Sequence, residues 1–312
     1  MNILGIDIGG TSIKFGVVNE EGKVNNCHSL PINKKLDQNE QIKQLLRFIK
    51  DIYKNNFDFT GIGIGIPGSI NSELGEVEFS NNLHWKNFKI VNLFNNEFAG
   101  IKIKITNDAN AAALAEAKFG SAKGEKNVVL LTLGTGVGSG IIINGKLYEG
   151  NKSRGAEIGH SLLVMDGIKC TCGRKGCLEM YASASALCSQ ANKAIKQFPN
   201  SQLAKNINTY GKIDGKIIFD SMKEGCKIAT NVINTYIKYL SEGIINICNI
   251  FRPSSVVLSG GIANQKEILT NKINQYLKDN NYGFPPACKV DVKCSELGAN
   301  TGIIGAASLL LE

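Results

Sequence analysis

His160, Cys170, Cys172 and Cys177 bring one imidazole and three thiols into 18 residues, with the spacing H-x9-C-x-C-x4-C. Thiolate and imidazole donors so close together suit tetrahedral Zn²⁺, and a complete set of four leaves the ion no open position. The expected role is therefore structural. Gly173 and Gly176 let the loop turn tightly between the thiols. The second ring nitrogen of His160 is left to donate to a ligand, the metal having fixed the tautomer.

Acids flank this loop. Glu157 stands three residues before His160, and Glu179 two residues after Cys177, so the metal loop would pin both. Asn107-Asp108 falls where a predicted strand runs into an Ala-rich helix. Both residue types are good N-caps, and a helix N-terminus stabilises an ionised carboxylate. Asp108 is thus placed to accept a hydroxyl proton. Solvated surface acids are the plain alternative, but acids and amides gathered in one place suit the several hydroxyls of a sugar.

Three glycine turns each follow an apolar strand: Asp7-Ile8-Gly9-Gly10-Thr11, Thr132-Leu133-Gly134-Thr135-Gly136-Val137-Gly138 and Ser259-Gly260-Gly261. Backbone N–H groups hold phosphate oxygens closely only where no Cβ intervenes. Thr11 and Thr135 add hydroxyl donors, Lys14 adds charge, and Asp7 at a strand end suits a hydrated Mg²⁺. Each turn alone reads as a hairpin turn. Three at strand ends point to a nucleotide. Gly63-Ile64-Gly65-Ile66-Pro67-Gly68 matches the dinucleotide fingerprint letter by letter, yet Pro67 and the residues after Gly68 do not open a helix.

These residues need elements to position them. Residues 3–8 and 13–18 read as strands around a Gly-Gly turn, 40–54 as a helix, and 61–66 as a strand ending at Pro67-Gly68. Ile101, Ile103 and Ile105 alternate with lysines as a half-wet strand, followed by a helix to about Phe119. Further on, 127–133 and 140–143 repeat the first strand pair, about 125 residues later. Ile6-Asp7-Ile8-Gly9-Gly10 lies over Leu131-Thr132-Leu133-Gly134-Thr135, which implies duplicated α/β halves. Residues 120–126 are polar and glycine-bearing, a candidate hinge. Helices near 183–197, 219–224 and 228–250, a strand at 255–259 and a terminal helix at 302–311 complete an α/β pattern.

The chain's 312 residues favour two domains. Its net charge of +8 comes from 31 Lys and four Arg with no charge block, which argues against a nucleic-acid surface. No run of 18 apolar residues and no secretory signal occur, so a cytoplasmic protein without a membrane span is expected. Nine cysteines, an odd count, without a secretory signal argue against a disulfide framework. Cys27, Cys188, Cys226, Cys248, Cys288 and Cys294 are isolated and are expected to pack as small hydrophobes.

At these motifs the sequence resembles the ROK family of sugar kinases, and looks most like its bacterial glucokinases. The match runs through Asp7 to Lys14, Pro67-Gly68, Asn82-Leu83 with Trp85, Asn107 to Ala111, Leu133 to Gly138, Glu157-Ile158-Gly159-His160, Cys170 to Glu179, and Ser259 to Ile262. The resemblance implies the actin-like/hexokinase/Hsp70 ATPase fold, with duplicated ribonuclease H-like domains and a cleft. It implies a small domain of 1–118 plus 300–312, and a larger one of 119–299 carrying the zinc loop and a dimerisation surface. A homodimer is the family's usual state.

By the same resemblance, Asp7, Gly9, Gly10, Thr11, Lys14, Thr132, Gly134, Thr135, Gly136 and Gly138 would surround the ATP phosphates and Mg²⁺. Gly260 and Gly261 would lie against the adenosine. Gly68, Asn82, Asn107, Asp108, Glu157, His160 and Glu179 would bind a hexose, with Asp108 the catalytic base. Ala156 stands where many members have Gly. The implied reaction is ATP-dependent phosphorylation at the hexose 6-hydroxyl, with glucose the first expectation. N-acetylmannosamine or N-acetylglucosamine kinase is the alternative. ROK repressors share this body, but their helix-turn-helix precedes the first glycine turn, and only six residues precede Asp7 here.

Overall fold

The β-branched, apolar N-terminus forms a buried strand in the computed structural model, which describes residues 1–54, 58–280 and 290–311. In chain order the first elements are β1 (Ile3–Ile8), β2 (Ser12–Val18), β3 (Val24–Pro31), α1 (Gln38–Tyr53), β4 (Gly61–Ile66), β5 (Ser69–Asn71), β6 (Glu76–Ser80), β7 (Trp85–Phe88), α2 (Ile90–Glu97), β8 (Lys102–Asn107) and α3 (Asp108–Phe119). There follow β9 (Val128–Leu133), β10 (Val137–Ile143), β11 (Lys146–Tyr148), α4 (Glu179–Ala182), α5 (Ala184–Gln197), α6 (Gln202–Tyr210), α7 (Gly215–Lys223) and α8 (Lys227–Phe251). The chain closes with β12 (Ser255–Ser259), α9 (Glu267–Asn280), β13 (Asp291–Cys294) and α10 (Thr301–Ser308).

Two five-stranded sheets have the same order. One runs β3-β2-β1-β4-β8 and the other β11-β10-β9-β12-β13. In each, an antiparallel meander supplies three strands and two more join in parallel beside the first. This is the duplication expected from the repeated hairpin. A small antiparallel sheet, β5-β6-β7, is additional.

The chain divides into two compact units. One comprises Met1–Lys126, Gly140–Ala156 and Glu296–Glu312; the other comprises Asn127–Ser139 and Glu157–Ser295. The first boundary falls at the end of the predicted 120–126 hinge. Sequence reading grouped 140–156 with the larger domain, whereas it packs in the first unit. There Glu149 accepts from Thr106 Oγ1 at 2.8 Å and from Ser72 Oγ at 3.0 Å.

In the first unit, Leu4, Ile6, Ile8, Ile62, Ile64 and Ile66 pack one face of the sheet against α1 and α2 side chains. The opposite face of β4 is Gly61, Gly63 and Gly65, which alternation presents to the helices. A Cβ on Gly63 would collide with the Ala306 carbonyl, and one on Gly5 with the Ile303 carbonyl. Of the glycines in the apparent dinucleotide fingerprint, Gly63 seats α10, Gly65 lies against Ala111 of α3, and Gly68 lies against Phe79 and Ser80. Glu116, fully buried at the end of α3, accepts from Ser121 N at 2.9 Å and from Leu297 N at 3.4 Å. It pins the start of the C-terminal segment to the turn after α3.

The isolated cysteines behave differently from one another. Cys226 and Cys248 are buried and Cys188 and Cys294 partly so, but Cys27 is exposed, which corrects the expectation of packing. It lies on β3, an edge strand whose side chains are largely solvated. Cys288 lies outside the described residues. Among the described residues, no helix is long and apolar enough to cross a membrane.

Candidate functional site

Parallel pairing of β1, β4 and β8 sets their carboxyl ends side by side: Asp7 is level with Gly65, Gly65 with Thr106, and Ile66 with Asn107. In open α/β sheets this edge is where ligands bind. Asn107 caps α3, its Oδ1 accepting from Ala109 N at 2.8 Å, while its Nδ2 donates to the Gly68 carbonyl at 2.9 Å. Gly68 has φ +126°, and a Cβ there would collide with the Phe79 carbonyl, so only glycine fits. Asp108 opens the helix and is exposed, its Oδ1 also taking the Ala109 N–H at 2.9 Å. The cap and the candidate base are thus consecutive residues with separate tasks.

Asp7 sits against Gly302 at the start of α10, and its register partner across the first hairpin is Lys14. Burial pushes the Asp7 carboxyl up to about 6, the charge of Asp108 adds to the rise, and Lys14 opposes it. The Gly9 N–H donates to the Ser12 carbonyl at 2.9 Å, closing the turn, and Thr11 is exposed on it. Asn82, also exposed, lies beside Gly10. All the site residues predicted from 7 to 108 therefore gather along one edge of the first unit's sheet.

The second unit repeats the plan. Thr132 is level with Ser259, so the turns after β9 and β12 are neighbours. Gly260 has φ +89° and abuts the Leu133 carbonyl, which a Cβ would overlap. Gly138 N donates to Thr132 Oγ1 at 3.1 Å, and Ala184 N to the Gly134 carbonyl at 2.9 Å, fixing the turn at both ends. A Cβ at Gly134 or Gly261 would meet nothing within 4 Å, so packing does not require those glycines. Close approach of a ligand would. Thr135 is exposed at the tip.

The predicted metal ligands converge. Donor atoms of His160, Cys170, Cys172 and Cys177 all lie within 4.8 Å of one another. Cys170 Sγ is 3.6 Å from His160 Nδ1, and Cys172 Sγ is 3.6 Å from Cys177 Sγ. Tetrahedral bonds of about 2.3 Å to sulfur and 2.0–2.1 Å to nitrogen would space neighbouring donors by roughly 3.6–3.8 Å, so the set fits Zn²⁺. Without a cation, burial and the neighbouring sulfurs push the Cys177 thiol up to about 12. The Arg174 backbone holds the Cys172 thiol below its ordinary value. Arg174 Nη1 donates to the His160 carbonyl at 3.3 Å, and Tyr181 Oη accepts from Ile168 N at 2.8 Å, bracing the loop.

The E-x-G-H segment packs on the start of β10. Ile158 N donates to Ser139 Oγ at 3.1 Å, and Gly159 lies against the Val137 carbonyl where a Cβ would collide. Glu157 is exposed. Glu179 accepts from Val137 N at 3.0 Å, tying the metal loop to the second glycine turn. Ser139 and Tyr181 lie outside the motifs read from the sequence, and Val137 lies inside the second glycine turn with nothing local to mark its main-chain N–H as the partner of Glu179.

A model of the ROK family matches residues 3–312. The chain is 33% identical to the glucokinase of Streptomyces coelicolor over 312 residues, 99% of this chain and 97% of that protein. It is also 33% identical to the glucokinase of Thermotoga maritima over 317 residues, covering 100% and 98%. The crystal structure of a ROK family glucokinase from Streptomyces griseus in complex with glucose and AMPPNP superimposes with a TM-score of 0.83. Its sequence identity is 29%, and 99% of each chain is covered. The fold is the actin-like/hexokinase ATPase fold of ROK sugar kinases. With the metal loop, the repeated glycine turns and a match across nearly the whole sequence, the chain belongs to the ROK family.

Proposed function

We infer that this protein is an ATP-dependent glucokinase, which transfers a phosphoryl group from ATP to the 6-hydroxyl of glucose. Whole-length likeness to glucokinases supports the reading. The observation that carries it is Asp108: an exposed carboxylate at the first position of α3, beside Asp7 and immediately after the capping Asn107.

Asp108 accepts the hydrogen bond of the attacking hydroxyl and takes its proton as the phosphoryl group arrives. The transition state of phosphoryl transfer is loose, so aligning the hydroxyl matters more than making it basic. Gly68, Asn82, Asn107, Glu157, His160 and Glu179 hold the sugar hydroxyls. Asp7, Gly9, Gly10, Thr11 and Lys14, with Thr132, Gly134, Thr135, Gly136 and Gly138, surround the phosphates; Gly260 and Gly261 lie against the adenosine. Mg²⁺ near Asp7 supplies charge neutralisation on the phosphates when bound. Zn²⁺ on His160, Cys170, Cys172 and Cys177 supplies structure and no open coordination position. The enzyme works as a cytoplasmic homodimer on small molecules, without nucleic acid.

A coupled assay of ADP formation with glucose, mannose, fructose, N-acetylglucosamine and N-acetylmannosamine tests the reading. Glucose is expected to give the highest kcat/KM. Preference for an N-acetylated hexose would reassign the substrate, and no sugar-dependent ADP would end the kinase reading.

A further inference from the structure

Glu179 follows the metal ligand Cys177 by two residues, and its carboxylate is turned onto the glycine turn after β9. Its Oε2 accepts the Val137 N–H at 3.0 Å and lies where a side chain on Gly136 would begin. Its Oε1 is 3.8 Å from Cys170 Sγ. The far side of Val137 is closed as well, because Gly159 of the E-x-G-H segment packs on its carbonyl. All of these residues belong to the second unit. A single anionic side chain therefore lies across the turn and takes one of its main-chain donors.

This arrangement conflicts with the function of the turn. A carboxylate beside a phosphate is repulsive, and an N–H already donating to that carboxylate is not available to a phosphate oxygen. Resting on the reading of this turn as phosphate-binding and of Glu179 as a sugar ligand, we propose that the Val137 N–H is a further phosphate donor, masked by Glu179 until sugar draws the carboxylate away. A sugar hydroxyl offers Glu179 a replacement hydrogen bond, and the move removes both the repulsion and the competition. Sugar thereby tightens nucleotide, and nucleotide tightens sugar to the same extent. ATP is held weakly until its acceptor is present, which limits transfer to water.

The test is calorimetric titration of the full-length, zinc-loaded protein with MgAMPPNP in the absence of sugar. Glu179→Ala should bind about tenfold more tightly than wild type, the scale expected from one charge-assisted hydrogen bond. Glu179→Gln should fall between them, since its amide oxygen still accepts the Val137 N–H but carries no charge. A residue that only binds sugar would leave this affinity unchanged, and a residue that only supports the fold would weaken it. Either outcome in variants with normal zinc content overturns the proposal.

Wild type provides a second route if the Glu179 variants do not fold: glucose should tighten MgAMPPNP about tenfold. MgAMPPNP affinity unchanged by glucose also overturns the proposal. Failure of the kinase reading is separate: it appears as a wild-type protein that phosphorylates no sugar.

Discussion

The side-chain amide of Asn107 donates to the Gly68 carbonyl at 2.9 Å while its oxygen caps α3, so one residue ties the end of β4 to the helix that presents Asp108. Loss of such a cap costs about 1 kcal/mol, within a range of roughly 0.5–2. Asn107→Ala should therefore lower the melting temperature and cut kcat/KM for sugar at least tenfold. Asn107→Asp keeps a capping oxygen and loses the donor to Gly68. It should recover most of the stability and little of the activity, as paired thermal melts and steady-state kinetics would show.

Asp108→Asn removes the proton acceptor and preserves shape. General-base catalysis typically supplies ~10²–10⁴-fold. The variant should lose at least a hundredfold in kcat while sugar affinity, read by calorimetry, stays within a few-fold of wild type. Turnover near the wild-type rate would reduce Asp108 to a helix-terminal residue.

Asp7 has a carboxyl raised from 3.8 to about 6, first by burial and then by Asp108. A folded-state value above the unfolded one means that the stability contribution is complete below about 4 and is lost as pH rises through about 6. Asp7→Asn should consequently stabilise the Mg²⁺-free protein at pH 8, on the order of 2 kcal/mol, with the gain vanishing by pH 4. Denaturant melts at the two pH values would check the sign. In wild type, activity should fall as pH drops below about 6, where Asp7 takes up a proton.

Ala156 has φ +63°, a left-handed conformation that costs a residue with a Cβ roughly 1–2 kcal/mol. The conformation gives a physical reason why glycine suits this position. Ala156→Gly should stabilise the protein by about 1 kcal/mol in a chemical denaturation experiment, less a fraction for the greater freedom of glycine in the unfolded chain. An unchanged or lower midpoint would contradict the strain.

Metal analysis of the purified protein should give about one zinc per chain. Stripping it with a chelator should lower the melting temperature and open the 160–178 loop to protease, because metal affinity is folding free energy. Cys177→Ala should abolish retention of the ion, since this ligand is fully buried among the others. Zinc content unchanged in Cys177→Ala would show that the ion sits elsewhere.

Features with local causes were legible in the sequence. The metal loop is contiguous, the Asn107 cap adjoins its helix, and the repeated strand-turn-strand at β1 and β9 announced two sheets with one strand order. Short or edge elements were not. β3 carries a polar face because it ends a sheet, and β5 has only three residues, so neither builds a clear periodic signal. Pairings across the chain left no trace either. Glu149 meets Thr106 over 43 residues and Glu179 meets Val137 over 42, contacts that exist only once the sheets have formed.

The seating of α10 on the bare glycine face has a consequence for biosynthesis. β1 and β4 are synthesised long before α10, so the glycine face that this helix covers stays without it until the C-terminal segment emerges. The intervening unit lies between them in the chain and is completed while that face is still open. A nascent chain stalled just short of α10 would expose Gly5 and Gly63 with their neighbours, making such a fragment a natural client for chaperones.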